Sequence, residues 1–225
     1  MKTSLKIIGS FAISSFIWAM LFGSVSVAVA LMTLLAIHEM GHYLAARYKH
    51  IDVSLPLFTP FGAFINMRQF PTNAYDEAFM ALAGPAFGII ASFASLGLGY
   101  ALHVPALVQA GFMSLALNLF NLIPLSPLDG GRVSMGITRY MWPVGLVMFV
   151  ALFMVAGFNL YNLFVFAYIG YFSMLDIRFR NYQASTNPGY FKMPFVKRFV
   201  ITDCYIALIL LGIAGLLPVL PMLIK

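Results

Sequence analysis

The sequence predicts an all-α polytopic membrane protein with six to seven transmembrane helices and one short membrane-associated β-hairpin. Of the 225 residues, 62% are hydrophobic and 9% are charged, a composition that excludes a soluble globular core. Several apolar runs also approach the roughly 20 residues that one helix needs to cross a bilayer. The net charge of +6 does not indicate nucleic acid, because the basic residues lie between apolar runs and form no aromatic-interleaved basic face.

The N-terminal half of the chain predicts two helices and then a strand pair. The apolar run from Ile7 to Ala46 is about twice the length of one span, so we expect two helices with a break near Phe22 to Ser26. Residues 47–76 carry charges at their edges but an apolar, aromatic middle, VSLPLFTPFGAFINM. Its prolines and glycine stand where a hairpin would bend, which is typical of a β-hairpin that dips into the membrane interface.

The C-terminal half predicts further spans. The apolar runs cover residues 78–102, 105–125, 141–175 and 199–223. The run at 141–175 is too long for one straight helix, and AGFN at 156–159 is a plausible turn within it, although the sequence does not decide between one span and two. We expect a single transmembrane domain over 1–225, with a motif-bearing core at about 25–135 and C-terminal helices at 141–225.

The distribution of basic residues predicts the orientation of the chain in the membrane. With a cytoplasmic N-terminus, the loops at 47–76, 126–140 and 176–198 all lie inside, and they hold ten of the thirteen Lys and Arg residues. This agrees with the positive-inside rule. We therefore expect a multi-pass protein of a bacterial or archaeal cell membrane with a cytoplasmic N-terminus.

Residues 38–42 read HEMGH, an H-E-x-x-H pattern. On a helix, residues four apart share a face, so His38 and His42 can direct their imidazoles at one point while Glu39 lies about 100° round beside it. This arrangement suits a zinc ion with a nearby general base. Ionisable groups inside a membrane are costly and usually functional. Counting back from Arg47 at the surface places the site roughly 10 to 15 Å inside the membrane, nearer the cytoplasmic face.

A catalytic zinc needs three protein ligands and one open position. The single cysteine, Cys204, excludes a Cys-based site. Asp129, in NLFNLIPLSPLDGGR, is the favoured third ligand, because two prolines interrupt the preceding helix and two glycines relax the backbone after it, so that the aspartate can turn inward. Asp52 and Asp176 are the alternatives.

Three motifs together resemble the signatures of the site-2 protease family, intramembrane zinc metalloproteases that cut membrane-embedded substrates. They are HEMGH, AGP at 83–85 and NLIPLSPLDGGR at 121–132. The resemblance implies that His38, His42 and Asp129 bind one zinc ion and that Glu39 activates the water. The predicted hairpin likewise resembles the membrane-associated strand segment of the family. We expect no PDZ or CBS domain, because the chain has no room for the modules that many members carry.

Several further residues have predicted roles near the site. Asn121 lies in the matching motif, and we expect it to steady the substrate carbonyl or the chain, whereas interhelical hydrogen bonding explains Asn118 at least as well as a function. Gly84 and Gly88 belong to a small-residue stripe that predicts helix packing. An edge strand offers backbone hydrogen bonds to an unwound substrate. The residues predicted to do so are Phe64, Ile65 and Asn66.

The predicted function is hydrolysis of peptide bonds in or near transmembrane segments, as in the processing of membrane-tethered transcription regulators. The expected partners are a membrane-spanning protein substrate and the lipid bilayer, with no nucleic acid. The alternative is a non-proteolytic zinc-binding protein, either a transporter or an inactive relative that holds transmembrane helices. A transporter needs further ligands along a path through the membrane, and an inactive relative is expected to lack Glu39. A structural scaffold leaves the buried polar groups unexplained. The sequence names neither the substrate nor the oligomeric state.

Overall fold

The computed structural model of the chain is mostly helical and describes residues 2–59, 62–65, 69, 71–138, 140–157 and 159–219. Its helices are α1 Lys2–Phe22, α2 Val25–Tyr48, α3 Ala74–Ala101, α4 Pro105–Asn121, α5 Asp129–Ile137, α6 Trp142–Ala156, α7 Leu160–Thr186 and α8 Phe195–Leu216. Two short strands, β1 Leu57–Thr59 and β2 Gly62–Phe64, lie between α2 and α3, and a 3-10 turn at Leu217–Val219 follows α8.

The first apolar run divides into α1 and α2 where the sequence predicts the break. Gly23 has φ +67, a left-handed conformation that glycine adopts without a steric penalty. Ser24 then caps α2, since its side chain accepts a hydrogen bond from the backbone N–H of Val27. Two helices over residues 7–46 are therefore confirmed.

Strands β1 and β2 form a two-stranded antiparallel sheet in which Phe58 pairs with Ala63. The backbone N–H of Phe58 donates to Ser10 Oγ at 3.3 Å. The Phe58 ring also meets Phe11 edge-on at 5.2 Å between centroids, so α1 anchors β1 by polar and aromatic contacts. The expected bend at Pro60 lies outside the described residues, and the position of this sheet at the membrane surface stays a prediction.

Four helices in the described part of the chain are long and apolar enough to cross a membrane. They are Leu5–Phe22, Val25–Tyr48, Ala74–Ala101 and Phe195–Val219. The chain is therefore an integral membrane protein. Helix α4, with 17 residues, and the apolar segment Trp142–Val155 are shorter. The count of six to seven spans stays a prediction.

The apolar run at 141–175 is interrupted. Helix α6 ends before Gly157, which has φ +80. Asn159 caps the start of α7, since its Oδ1 accepts a hydrogen bond from the backbone N–H of Asn162 at 2.8 Å. The turn predicted at 156–159 lies at this break.

Two stretches that the sequence predicted as loops are helical. Residues 126–140 contain α5, and the first part of 176–198 continues α7 to Thr186. Helix α7 runs on because Arg180 pairs with Asp176 one turn earlier and with Glu77 in the first turn of α3. Charged residues indicate where a helix leaves the apolar interior of the membrane, but the helix itself can continue beyond that point.

The chain divides into two compact units. The first comprises Met1–Phe70, Ala83–Leu119 and Ala207–Lys225. Its core contains Leu31 and Leu34 of α2 with Ala110 of α4. The backbones of α2 and α3 approach closely in this unit, since a Cβ on Gly41 would lie 2.4 Å from the carbonyl oxygen of Ala83. Only glycine permits that approach.

The second unit comprises Pro71–Leu82 and Phe120–Ile206. One of its buried hydrophobic clusters contains Ile123, Leu125, Leu128, Phe149 and Ile169. The Tyr205 hydroxyl donates a hydrogen bond to the carbonyl oxygen of Leu122, where the α4 helix has just ended. This bond satisfies a carbonyl that the broken helix leaves free.

Candidate metal centre

Helix α2 presents His38 and His42 from one face into the interior of the first unit. His38 is 3% exposed and His42 is 9% exposed. Their Nε2 atoms lie 3.1 Å apart, and their ring centroids are 4.8 Å apart. The expected i, i+4 convergence of the two imidazoles is therefore present.

The separation of the two Nε2 atoms fits a shared metal ion. Two imidazole nitrogens on a tetrahedral zinc, each at about 2.0 to 2.1 Å from the ion, lie about 3.3 Å from one another. The observed 3.1 Å is close to that value. Both histidines approach the common point through Nε2, which leaves each Nδ1 for a hydrogen bond to another group.

Glu39 follows His38 directly and is 7% exposed. A carboxylate on an apolar helix is costly to bury, so it is retained where charge compensation or proton transfer requires it. Its position beside the histidine pair gives α2 a candidate general base next to two candidate ligands.

Asn118 of α4 contacts the site, and the sequence did not predict that role. Its Oδ1 lies 2.8 Å from His38 Nδ1, and both side chains are 3% exposed. The Asn118 amide in turn donates to the carbonyl oxygen of Ser114 at 2.8 Å. The interhelical hydrogen bond expected of Asn118 is present, and its partner is a candidate metal ligand.

Two glycines of α3 make room for these side chains. A Cβ on Gly84 would lie 2.2 Å from His42 Nε2, and a Cβ on Gly88 would lie 2.2 Å from Asn118 Oδ1. The sequence indicated helix packing alone for this stripe. In the structure, each glycine faces a polar side chain of the candidate site.

Asp129 is the first residue of α5 in the second unit, and it is half-buried. The sequence predicted a relaxed, non-helical backbone from Asp129 onwards, and the structure corrects this to the start of a new helix. The two glycines after it are needed for close packing, since a Cβ on Gly130 would lie 2.2 Å from the carbonyl oxygen of Leu122. A Cβ on Gly131 would lie 2.4 Å from the backbone nitrogen of Ser126.

The remaining candidates are placed as follows. Asp176, one alternative third ligand, accepts a hydrogen bond from Arg180 in an ion pair within the second unit. Asp52, the other alternative, is half-buried in the segment between α2 and β1. Asn121 is the last residue of α4, and Ile65 follows β2; both are half-buried. Phe64 ends β2, and Asn66 lies outside the described residues, so the substrate-binding roles of these residues stay predictions.

A family model matches this chain over residues 26–107, and its description is Peptidase family M50. The matched segment contains α2 with the HEMGH motif, both strands, and the glycines of α3 that face His42 and Asn118. The resemblance to the site-2 protease family, which rests on three motifs, is confirmed by this match.

Several curated proteins are similar to this chain. A Synechocystis protein, sll0528, provisionally named a zinc metalloprotease, is 36% identical over 112 residues, which are 47% of this chain and 29% of that protein. Zinc metalloprotease MJ0392 of Methanocaldococcus jannaschii is 30% identical over 125 residues, 53% of this chain and 34% of the relative. Stage IV sporulation protein FB of Bacillus subtilis is 26% identical over 141 residues, which are 59% of this chain and 49% of that protein. This chain thus spans less than half the length of each of these relatives.

The fold is similar to that of a solved structure, the site-2 protease from Methanocaldococcus jannaschii. The TM-score is 0.51 at 21% sequence identity, and the alignment covers 74% of this chain and 86% of the other. At that identity, the likeness establishes a shared fold.

Proposed function

From the match of residues 26–107 to Peptidase family M50, we propose that the chain is an intramembrane zinc metalloprotease. It hydrolyses peptide bonds in or near transmembrane segments of membrane protein substrates. Residues 1–225 act as one protease domain in this proposal. The observation that carries it is the buried His38–His42 pair, with Nε2 atoms 3.1 Å apart and Glu39 beside it on an apolar helix.

In this proposal one zinc ion is held by His38, His42 and Asp129. Each of the three offers one ligand atom, an imidazole nitrogen or a carboxylate oxygen. Two histidines and one carboxylate form a donor set that zinc prefers in hydrolytic sites, and they leave a fourth position open. The pairing of Asp176 with Arg180 supports Asp129 over Asp176, because that carboxylate is already engaged by a cation.

Each residue of the site has a separate role in peptide hydrolysis. A bound zinc ion supplies Lewis acidity, which polarises the peptide carbonyl and lowers the pKa of a water towards about 7. Glu39 accepts the proton of that water as general base, and it returns the proton to the amine nitrogen when the C–N bond breaks. His38 and His42 would each present the lone pair of Nε2 to the ion.

The substrate must be unwound before its peptide bonds can be attacked, because each amide of a transmembrane helix is already hydrogen-bonded within that helix. We propose that the strand segment at Phe64, Ile65 and Asn66 binds the extended chain by strand addition. Asn121 would steady the substrate carbonyl. The pairing of β2 with β1 supports this proposal, since the sheet has two strands among the described residues and β2 has an outer edge there.

The proposed orientation has a cytoplasmic N-terminus and a site nearer the cytoplasmic face. Ten of the thirteen basic residues lie in 47–76, 126–140 and 176–198, which this orientation places inside. The partner is a membrane-spanning protein substrate in the same bilayer.

The experiment compares purified wild type with Glu39→Gln and Asp129→Asn. The readouts are zinc content per chain and cleavage of a single-span model peptide that carries a glycine pair in its apolar segment. Glu39→Gln should keep zinc but lose cleavage, because an amide cannot accept the proton. Asp129→Asn should lose both zinc and cleavage.

Each variant has a result that contradicts its assignment. If Glu39→Gln cleaves as fast as wild type, the proteolytic mechanism is wrong. If neither wild type nor Glu39→Gln cleaves the peptide while both contain zinc, the result favours the non-proteolytic zinc-binding alternative. Full zinc content in Asp129→Asn removes Asp129 from the ligand set and returns Asp52 and Asp176 to consideration.

A further inference from the structure

We propose that Asn118 is a positioning residue for His38: it holds the imidazole in the tautomer that carries its proton on Nδ1 and so keeps the Nε2 lone pair directed at the metal position. The inference rests on the proposed function only for the identity of the bound metal. The tautomer itself follows from contacts within the first unit.

The contact between the two side chains is short and buried. His38 Nδ1 and Asn118 Oδ1 are 2.8 Å apart, and each residue is 3% exposed. A buried amide oxygen is an acceptor only, so the ring nitrogen that faces it must be the donor. Two acceptors facing each other at that distance would leave both without a hydrogen bond in a buried place, which is unfavourable.

The orientation of the Asn118 amide is fixed by its other end. Nδ2 lies 2.8 Å from the carbonyl oxygen of Ser114, which accepts, and 3.4 Å from Ser114 Oγ. A flipped amide would set its oxygen against that carbonyl oxygen, so the nitrogen must point to Ser114. Oδ1 is therefore the atom that remains for His38.

The network continues to α3. Ser92 Oγ lies 2.7 Å from Ser114 Oγ and 2.7 Å from the carbonyl oxygen of Gly88. Gly88 also packs against the Asn118 amide, since a Cβ there would lie 2.2 Å from Oδ1. The Asn118 amide is held by hydrogen bonds to Ser114 on one side and by the backbone of Gly88 on the other, so it has a single orientation.

As a consequence, His38 presents Nε2 as its metal-ligating atom before any metal binds. With the proton on Nδ1, Nε2 is unprotonated and faces His42 Nε2 at 3.1 Å, the position where both imidazoles converge. Removal of such a hydrogen-bond partner typically lowers the metal affinity about 10- to 100-fold, because the histidine ring is then free to rotate or to take the other tautomer.

The test measures the affinity for Zn²⁺ alone, by competition with a chromogenic chelator, in four full-length proteins. Asn118→Leu removes the acceptor at similar volume, and its dissociation constant should rise about 10- to 100-fold. Asn118→Asp restores an acceptor at the same place and should stay within about tenfold of wild type. Ser95→Ala is the matched control: it removes a hydrogen bond from α3 to the carbonyl oxygen of Leu107 in α4 and should leave affinity unchanged.

A second readout requires neither metal nor a variant of Asn118. In metal-free wild type, ¹⁵N NMR of labelled histidines should show that the neutral His38 ring carries its proton on Nδ1. The signal is assigned by its loss in His38→Gln. This measurement decides the inference even if Asn118→Leu fails to fold.

Three results overturn the inference. One is a His38 proton on Nε2 in the wild type. The second is an Asn118→Leu protein that binds Zn²⁺ as tightly as wild type. The third is an Asn118→Asp protein that binds Zn²⁺ as weakly as Asn118→Leu. A wild type that binds no Zn²⁺ would instead contradict the proposed function, and the NMR result would still decide the tautomer.

Discussion

At the scale of single residues, the candidate site depends on glycines as much as on its polar side chains. Gly84 leaves the space that the His42 ring occupies, and Gly88 leaves the space for the Asn118 amide. Neither glycine has a left-handed φ, so the missing Cβ matters here for volume. These positions therefore belong to the site sterically, although they offer no ligand atom.

Gly84→Ala should lower zinc affinity by at least about tenfold, in the range expected when the support of a ligand is lost. The new Cβ would lie 2.2 Å from His42 Nε2, so the ring must move away from the position it shares with His38. The measurement is chelator competition for Zn²⁺.

Gly97→Ala on the same helix is the matched control. Nothing lies within 4 Å of its added Cβ, and alanine is the better helix former by about 1 kcal/mol. It should bind zinc as wild type does and be at least as stable. Equal zinc affinity in both alanine variants would show that the His42 ring is not held by Gly84.

Much of the site at residue level could be predicted from the sequence, because it is local. His38, Glu39 and His42 lie within one helical turn, so their spacing alone sets their geometry. The contact of Asn118 with His38 joins residues 80 positions apart, and helix spacing says nothing about which amide of α4 faces α2. Asn121 was favoured because it lies in a motif, whereas packing selects Asn118 to contact the histidine.

At the scale of elements, a buried ionic cluster joins the first turn of α3 to the end of α7 within the second unit. Arg180 is 6% exposed and contacts both Glu77 and Asp176. The Tyr190 hydroxyl donates to Glu77 at 2.7 Å. Burial first, and then the Glu77 carboxylate, raise the pKa of Tyr190 well above its ordinary value, so this donor keeps its proton.

Arg180→Ala should destabilise the protein by about 3 to 5 kcal/mol, because two carboxylates lose their shared cation in a largely buried place. Arg178→Ala, two residues away on the exposed side of α7, should change stability by less than about 0.5 kcal/mol. Thermal unfolding in detergent micelles measures both. Similar melting temperatures for the two variants would mean that the cluster contributes little to folding.

A second element, strand β2, permits a test of strand addition. Proline placed singly at Phe64 or Ile65 removes a backbone donor and should reduce cleavage of the model peptide about tenfold or more while zinc content stays normal. Gln69→Pro, in an exposed bend beyond the strand, is the control and should cleave normally. Normal cleavage by all three proteins would contradict substrate binding at this strand and leave the zinc assignment untouched.

Element boundaries were predictable where glycine sets them. The breaks at Gly23 and Gly157 follow from left-handed backbone that other residues avoid. Helix α5 and the extension of α7 were not predictable in the same way. The extension of α7 is stabilised by the ion pair of Arg180 with Glu77, which lies 103 positions away. Helix α5 is stabilised by the tight packing of Gly130 against the chain at Leu122, a backbone contact that helix spacing does not reveal.

At the scale of the whole molecule, basic residues predict the orientation in the membrane. We expect residues near Gln69 and Asn187 to share the cytoplasmic side, with Leu102 on the other. All three are exposed in the structure. The test replaces Cys204 by serine, introduces one cysteine at a time, and labels intact cells with a membrane-impermeant maleimide.

Leu102→Cys should be labelled in intact cells, whereas Gln69→Cys and Asn187→Cys should react only after the membrane is permeabilised. Labelling of Gln69→Cys together with Leu102→Cys in intact cells would overturn the orientation. That result would also mean that the chain crosses the membrane an even number of times, or not at all, between Gln69 and Leu102.

The close approach of α2 and α3 restricts how a substrate can enter. At Gly41 the backbone of α2 meets that of α3 at Ala83 without an intervening side chain, and the next residue of α3, Gly84, leaves the space that His42 occupies. Lateral passage of a transmembrane helix needs a gap about 10 Å wide. Opening such a gap between α2 and α3 would separate His42 from the groove in which it lies and dismantle the histidine pair. On the proposed function, we therefore expect a membrane-embedded substrate to reach the site along another side of α2.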